Sequence, residues 1–240
     1  MTGSRRADMV GRVTTTLDGA HRTATGRVAE VLRNDILQGR IPPGARIRQE
    51  ELAARLGVSR VPVREALRVL EADGLVTLVA NTGAWVAHLS LIECEEIYQI
   101  RERVEPLLLR YAAPRLGEDE LRRLEDLSMQ MEASTDLEQF LRLDREFHLL
   151  SYSTAETVVL SELVHRLWNT TQHYRRAFSG TLDSRSQRVV HDEHHMITAA
   201  LRDGDVAGAE HVLEGHIRRT RRRLSEHPEV FQIPDISVRS

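Results

Sequence analysis

The 240-residue sequence has no lysine, a single cysteine and no apolar run long enough to span a membrane. All 33 basic residues are therefore arginine, which we attribute to genome composition rather than to chemistry. The lone Cys94 excludes a disulfide within the chain and suits a reducing compartment. Without a membrane-spanning run or an apolar signal-peptide core, we expect a cytoplasmic protein with one large domain or two smaller ones.

The charges are unevenly distributed along the chain. Residues 1–90 carry 13 arginines against 9 acidic residues, whereas the remaining 150 residues carry 20 against 27. A mildly basic front followed by an acidic rear fits a nucleic-acid-binding domain joined to a domain that does not touch DNA. The imbalance is modest, so it supports this interpretation without deciding it.

Two short amphipathic patterns between residues 49 and 74 predict a helix-turn-helix. The first helix ends at Gly57, where a left-handed residue is expected, and Ser59 follows as the N-cap of the second. Pro62 is tolerated in the first turn of that second helix. The apolar residues repeat at helical spacing in both: Leu52, Ala53, Leu56, Val58, Val63, Ala66, Leu67 and Leu70.

The second helix of this motif carries Arg60, Arg64 and Arg68. The N-terminal part of a recognition helix meets base edges and phosphates in the major groove, and the first two arginines lie there. The alternative is a solvated arginine face on an ordinary helical hairpin. This segment alone leaves the two interpretations evenly balanced.

The flanking segments predict the rest of a small domain at residues 23–90, after a flexible arm at 1–22. An amphipathic helix over about 24–38 ends at Gly39 and the Ile41-Pro42-Pro43-Gly44 turn. After the helix-turn-helix the pattern changes to period two, with a turn at Asn81-Thr82-Gly83 between two apolar segments. This pattern predicts a β-hairpin, the wing of a winged helix.

Beyond Ser90 the periodicity is helical throughout. Six amphipathic segments joined by short connections predict an antiparallel all-helical bundle over residues 91–226, followed by a non-helical tail at 227–240. The expected fold class is therefore mainly α, with an N-terminal winged helix-turn-helix and a C-terminal helical bundle. The segments span approximately 91–113, 118–133, 136–152, 157–178, 183–203 and 205–225.

One carboxylate and three imidazoles lie on the apolar stripes of three of these segments: Asp144, His148, His194 and His216. Burying them without partners would cost several kcal/mol, so we expect them to satisfy each other or to share an ion. Together they are a suitable first shell for Zn²⁺ or another first-row divalent metal such as Ni²⁺ or Mn²⁺. The alternative is a set of core histidines. The stripe on residues 183–203 selects His194 over His195.

Arg101 is a second unusual residue, because it shares a stripe with Cys94, Ile97, Val104 and Leu108. An internal ion pair or a snorkelling arginine is as good an explanation of this position as a ligand-binding role. Arg175 and His165 lie on intermediate faces of the segment 157–178. We expect that both line the same interior cavity as Arg101, although the pattern supports this role less firmly than it does for Arg101.

The N-terminal segments GRIPPGARI, LAARLGVSRVPVREALRVLEADGLV and NTGAWVA resemble the DNA-binding domain of the GntR family of bacterial transcription regulators. The resemblance covers about residues 24–90 and implies that Arg60 and Arg64 read DNA, with Thr82 and Gly83 at the wing tip. We include Ser59 and Arg68 in the expected DNA-binding set. One position departs from the family: Glu50 stands where many members carry arginine, which puts one usual DNA contact in doubt.

The C-terminal segments IRERVEP, LDREFHLL, DEHHMITAALRDGD and AEHVLEGH resemble the metal-containing ligand-binding domain of the FadR subfamily, called FCD. Position by position, this resemblance implies Asp144, His148, His194 and His216 as metal ligands. It also implies that Arg101 binds the carboxylate of an effector near the metal, and we group Arg175 with it.

These observations predict a homodimeric transcription regulator, a repressor, that binds a palindromic operator and responds to a small organic acid beside a divalent metal. One alternative is a helical-bundle metallohydrolase fused to a DNA-binding domain. No inward carboxylate is positioned as a general base and no nucleophile pair is visible, so we do not expect an enzyme. Another alternative is a DNA-binding protein whose bundle only dimerises.

Overall fold

The computed structural model describes residues 23–232 in two compact units, one extending to Ala87 and the other beginning at His88. The expected arm at residues 1–22 and the last part of the expected tail, residues 233–240, lie outside the described residues. Within the described part, no helix is both long and apolar enough to cross a membrane.

The first unit is a winged helix-turn-helix. Its helices are α1 at 23–37, α2 at Gln49–Leu56 and α3 at Arg60–Ala72, and its strands are β1 at Arg46–Ile47, β2 at Val76–Val79 and β3 at Gly83–Val86. The strands form an antiparallel sheet in the order β1-β3-β2, with Thr77 and Arg46 both opposite Trp85. The period-two pattern predicted β2 and β3 but not β1, because two residues are too few to show a periodicity.

The turn between α2 and α3 follows from one glycine. Gly57 has φ 63°, a left-handed conformation that costs little without a Cβ. Its N–H donates to the carbonyl of Ala54 at 3.3 Å, and the N–H of Val58 donates to that of Ala53 at 3.1 Å. These bonds satisfy carbonyls that the helix end would leave unpaired. Ser59 is the N-cap of α3, as expected, although its side chain makes no capping hydrogen bond.

Apolar side chains from every element of the first unit close one core. The predicted helix faces supply most of it, and the sheet adds the rest. Its fully buried members include Leu32, Val63, Ala66, Leu67, Leu70 and Ala84.

The second unit is an all-helical bundle, which confirms the predicted fold class. Its helices are α4 at Leu91–Ala112, α5 at Glu118–Ala133, α6 at Leu137–Ser151, α7 at Val159–Gly180, α8 at Ser184–Arg202 and α9 at Val206–Ser225. Helix α4 packs along α9, and α8 lies between α5 and α9. The side chains of Ser90, Asp136, Asp183 and Asp205 accept N–H groups at the starts of α4, α6, α8 and α9.

The prediction of a non-helical tail from residue 227 was wrong in one respect. Residues Pro228–Phe231 form a 3₁₀ turn, and Phe231 is buried against the bundle. Its ring stacks on Tyr174 with the centroids 4.7 Å apart and the planes 13° from parallel. A four-residue turn has too little periodicity for detection from sequence, and an apolar contact with α7 holds it.

Candidate functional site

The structure brings Asp144, His148, His194 and His216 together in the interior of the second unit. Each offers one ligand atom, and these four atoms lie within 4.8 Å of one another. Asp144 and His148 are one turn apart on α6, His194 comes from α8 and His216 from α9. All four side chains are buried, with relative exposures between 0% and 4%.

The outer nitrogens of two imidazoles have fixed partners. Nδ1 of His194 lies 2.7 Å from the Val190 carbonyl, and Nδ1 of His216 lies 3.0 Å from Oε2 of Glu193. Because a carbonyl and a carboxylate only accept, both Nδ1 atoms carry the proton and both Nε2 atoms keep a lone pair. The lone pairs are directed into the cluster, the arrangement that a metal-binding histidine requires.

The ligand atoms that face the centre of the cluster are short of hydrogen-bond donors. Nε2 of His194 is 3.3 Å from Nε2 of His148 and 3.3 Å from Oδ1 of Asp144. Nδ1 of His148 lies 3.5 Å from the hydroxyl of Tyr152, whose own hydrogen is donated to Glu105. The Nε2 lone pairs of His194 and His216, the His148 imidazole and a carboxylate oxygen without a hydrogen bond therefore converge on one point. A cation resolves this convergence, so the residues fit a metal ion.

Burial also keeps the imidazoles neutral. It lowers the pKa of His194 to about 4, and it lowers the pKa of His148 and of His216 well below the usual value. Neighbouring imidazoles add to the shift of His148 and His216. A neutral imidazole is the form that coordinates a metal, so no proton has to leave these three residues near neutral pH.

Arg175 contacts the cluster directly, as an ion pair with Oδ2 of Asp144. Its guanidinium also lies over the ring of Trp168, 4.3 Å from the centroid. Burial lowers the pKa of Arg175 to about 10, so the group stays charged at neutral pH. The arginine therefore orients Asp144, whose Oδ1 remains directed at the histidines.

Arg101 is fully buried, as the helical periodicity predicted, and it has an internal partner. Its Nε donates to Oε1 of Glu105 one turn further along α4, and its Nη1 donates to Oγ1 of Thr171 at 2.8 Å. Oε2 of Glu105 also accepts from Tyr152 at 2.8 Å and from the indole N–H of Trp168 at 3.0 Å.

Glu105, Glu193 and Trp168 were not among the predicted site residues. Glu105 follows Arg101 by four residues, so the helix period alone places the two side chains side by side. Glu193 lies three residues after Val190 and four before Ile197, at the edge of the apolar stripe. That spacing would have identified it as a partly covered carboxylate.

Two of the histidines weighed in the sequence lie outside the cluster. His165, which we expected to line the cavity, is instead exposed on α7, and His195 pairs with Glu132 at 3.0 Å on the surface. A cleft of about 550 Å³ lies nearby, and its lining includes Glu132, Asp136 and His191. Its two carboxylates disfavour an anionic ligand, so we do not assign an organic acid to this cleft despite its size.

On the first unit, the expected DNA-binding residues share an exposed surface around α3 and the wing. Arg60, Arg64 and Arg68 are all solvent-exposed. Arg64 lies 3.8 Å and Arg68 3.1 Å from Glu65 on the same helix. Arg60 instead pairs with Glu50 of α2, Nη1 to Oε1, at 3.0 Å.

Two further arginines lie on this surface and were not among the predicted contacts. Arg46 of β1 donates to the carbonyl of Thr82 at 3.1 Å, and Arg48 immediately precedes α2. Together with Glu50, Arg60 and Gly83 at the wing tip, they line a groove of about 450 Å³. Arg46 lies beside the wing because β1 pairs with β3. Since β1 was not predicted from the sequence, this position of Arg46 was not predicted either.

Comparison with known families identifies the class of protein. The family model described as bacterial regulatory proteins, gntR family, matches residues 24–86, and the FCD domain model matches residues 96–219, just over half of the chain. The chain belongs to the GntR family and carries a C-terminal FCD domain, a domain of metal-binding type. It is a DNA-binding transcriptional regulator.

Individual relatives of the chain are also transcriptional regulators. An uncharacterized HTH-type transcriptional regulator, YdhC of Bacillus subtilis (strain 168), is 30% identical over 186 residues, which are 76% of this chain and 83% of YdhC. The HTH-type transcriptional repressor RspR of Escherichia coli (strain K12) is 29% identical over 152 residues, 62% of this chain and 67% of RspR. The solved structure of E. coli McbR/YncC superposes with a TM-score of 0.74 at 25% identity, covering 85% of this chain and 97% of that one. These are regulators rather than enzymes, as the sequence led us to expect.

Proposed function

We propose that this regulator is a metal-containing repressor whose affinity for its operator is controlled by a small organic acid. The observation that carries the proposal is the convergence of Asp144 Oδ1 with the buried imidazoles of His148, His194 and His216, the last two with their proton on the outer nitrogen. A divalent metal, Zn²⁺ by preference, would be held by Asp144, His148, His194 and His216. When bound, it supplies a concentrated positive charge that attracts a carboxylate.

The acid binds beside the metal at Arg101 and exchanges with Glu105. In the structure described above, Glu105 already occupies the Nε edge of Arg101, so a second carboxylate must take its place or share the guanidinium. The exchange is feasible because Oε2 of Glu105 keeps two other donors, Tyr152 and Trp168. In a site with little water, each of these charge-assisted bonds is stronger than at the surface.

Effector binding acts through α4. Arg101 and Glu105 are both on this helix, and α4 begins at Leu91, shortly after strand β3 of the wing ends at Val86. A ligand changes a conformational equilibrium only if it binds one state better than another. Replacement of Glu105 by the acid as the partner of Arg101 provides such a difference. The resulting shift of α4 alters the spacing of the two recognition helices in a dimer.

The protein acts as a homodimer on a palindromic operator. One recognition helix per chain offers too few base contacts for specific binding, and a two-fold dimer doubles them. Helix α4 carries an exposed apolar stripe of Ile100, Leu107 and Tyr111, spaced seven and four residues apart. An apolar stripe of this kind supports self-association of the bundle.

DNA contacts come from α3 and the wing. Arg60 and Arg64 lie in the first two turns of α3 and contact base edges, whereas Ser59, Arg68, Thr82 and Gly83 contact the backbone. All of these residues except Gly83 are exposed. The free guanidinium donors of α3 suit the O6 and N7 acceptors of guanine.

Metal content after chelation and reloading tests the centre. Wild-type protein should retain one divalent ion per chain by plasma mass spectrometry, and His148→Ala and His216→Ala should lose it. His195→Ala is the matched control, because His195 is a surface histidine on the same helix as His194. Wild-type protein that takes up no divalent ion would disprove the proposed metal centre.

A screen of organic acids tests the control by an effector. An acid should raise the melting temperature of metal-loaded protein and release it from DNA. The double variant Arg101→Met, Glu105→Gln removes both charges and avoids an unpaired buried one. It should keep the metal and the DNA binding but lose the response to the acid. A retained response would rule out Arg101 as the effector site.

A further inference from the structure

Glu50 is an exposed carboxylate in the middle of the expected DNA-binding surface. It lies in the first turn of α2, and its Oε1 is 3.0 Å from Nη1 of Arg60, the first residue of α3. Both side chains line the groove that also includes Arg46, Arg48 and the wing tip. A negative charge here repels DNA phosphates, so its presence requires a compensating role.

The partner of Arg60 differs from those of the other arginines on α3. Arg64 and Arg68 are near Glu65, which moves with their own helix. Among the described residues, Arg60 is the arginine of α3 that forms an ion pair with another helix. The direction of its guanidinium is therefore set by two elements of the helix-turn-helix, α2 and α3.

We propose that Glu50 is a positioning residue that orients Arg60 for reading a guanine. Its carboxylate engages Nη1, so the edge formed by Nε and Nη2 remains available for a bidentate contact with O6 and N7. The inference rests on the proposed function, in which Arg60 contacts DNA.

The ion pair between Glu50 and Arg60 is weak in the free protein and strong in the complex with DNA. Exposed pairs contribute little in water, because both partners are well solvated and mobile. When DNA covers the groove, water leaves and the local dielectric constant falls, which strengthens the attraction. Glu50 thus holds Arg60 most firmly at the moment of recognition.

The same carboxylate weakens binding to DNA of any sequence. It opposes the phosphates while leaving the guanine contact intact, so non-specific binding suffers more than specific binding. Glu50 therefore increases the ratio of specific to non-specific affinity. Glu50→Gln should bind random DNA more tightly and discriminate less well.

The experiment uses the full-length protein and a duplex selected by the wild type from a randomised pool. Dissociation constants are measured at one salt concentration for this duplex and for versions in which each G·C pair is replaced in turn. Arg60→Ala identifies the pair that Arg60 reads. At that pair, Glu50→Gln should lower the discrimination about tenfold, within the range of a lost bidentate contact. Glu30→Gln, an exposed α1 carboxylate with the same charge change, should leave it unchanged.

A double-variant cycle separates positioning from a direct base contact. In the Arg60→Ala background, Glu50→Gln should cause no further loss of discrimination at this pair. A further loss would overturn the proposal, because Glu50 would then read a base itself. Wild-type discrimination in Glu50→Gln, with discrimination lost in Arg60→Ala, would also overturn it and leave the DNA role of Arg60 intact. Discrimination retained in Arg60→Ala would overturn both the positioning role of Glu50 and the DNA-reading role of Arg60.

Discussion

The metal-free bundle should lose stability as the pH falls from 7.5 to 5.5. Burial lowers the pKa of His194 from 6.5 to about 4, so the folded state resists a proton that the unfolded chain accepts. The stabilisation by the neutral imidazole is thus complete above pH 6.5 and is lost as the pH falls towards 4. His148 and His216 shift in the same direction.

The size of the effect follows from linkage. Over this interval a histidine with a pKa of 6.5 unfolded and about 4 folded contributes a loss of about 1 kcal/mol. His148 and His216 add to this loss in the same direction but not independently, because protonation of the three cluster histidines is coupled. Carboxylates with ordinary pKa values stay ionised above pH 5.5, so they contribute little in this window.

Chemical unfolding followed by tryptophan fluorescence measures this loss. The two tryptophans lie in different units, so Trp85→Phe leaves Trp168 as a reporter next to the cluster. His194→Asn in this background should reduce the pH dependence by about 1 kcal/mol, the contribution of one histidine. The exposed control His195→Asn should retain the full dependence, and the contribution of the partly buried His173 is common to all variants.

A pH-independent stability of the chelated protein would refute this reasoning. It would mean that the histidines accept protons in the folded state as readily as in the unfolded chain, and that their convergence is not maintained without a metal. Bound metal should raise the stability throughout this window but keep the pH dependence, because coordinated histidines take up no protons while those of the unfolded chain still do.

Three other predictions concern the metal, DNA and the dimer. Glu193→Gln should weaken metal binding about 10- to 100-fold in competition with a chelator, because His216 loses the carboxylate that accepts its Nδ1–H. Unchanged affinity would show that Glu193 only pairs with Arg219. Arg64→Ala should cost about 1–3 kcal/mol of binding at one base pair if it reads a guanine, measured by titration with the selected duplex. Equal weakening on all sequences would assign it to phosphate. Tyr111→Glu should shift the full-length protein to monomer in sedimentation, because it introduces a charge into the exposed apolar stripe of α4. An unchanged dimer would exclude this face.

The periodicity of the sequence, helical in the helices and two in the wing, was sufficient to identify the winged helix-turn-helix and the bundle. Leu67 and Leu70 lie on a predicted apolar face of α3, and both are completely buried. The same rule separated His194 from His195, which are adjacent in sequence but differ in exposure. Side-chain direction in a helix is set locally, so the period of 3.6 residues decides which side chains share a face.

Contacts between distant segments could not be predicted in this way. No local pattern pairs Glu50 with Arg60, because that contact depends on the angle between α2 and α3. Phe231 and Tyr174 stack across a separation of 57 residues, and no local pattern relates them. Strand β1 exists because β3 supplies its hydrogen-bond partners.

The sequence by itself therefore determined the helices, the β2–β3 hairpin, their buried faces and the four proposed metal-ligand side chains that point inward, because each of these is a property of one helix or hairpin. Only the tertiary structure decided how those side chains are used. It paired Arg175 with Asp144, and it paired the outer nitrogen of His216 with Glu193. The physical reason is that buried charges take the nearest partner when water is excluded, and packing decides which group is nearest.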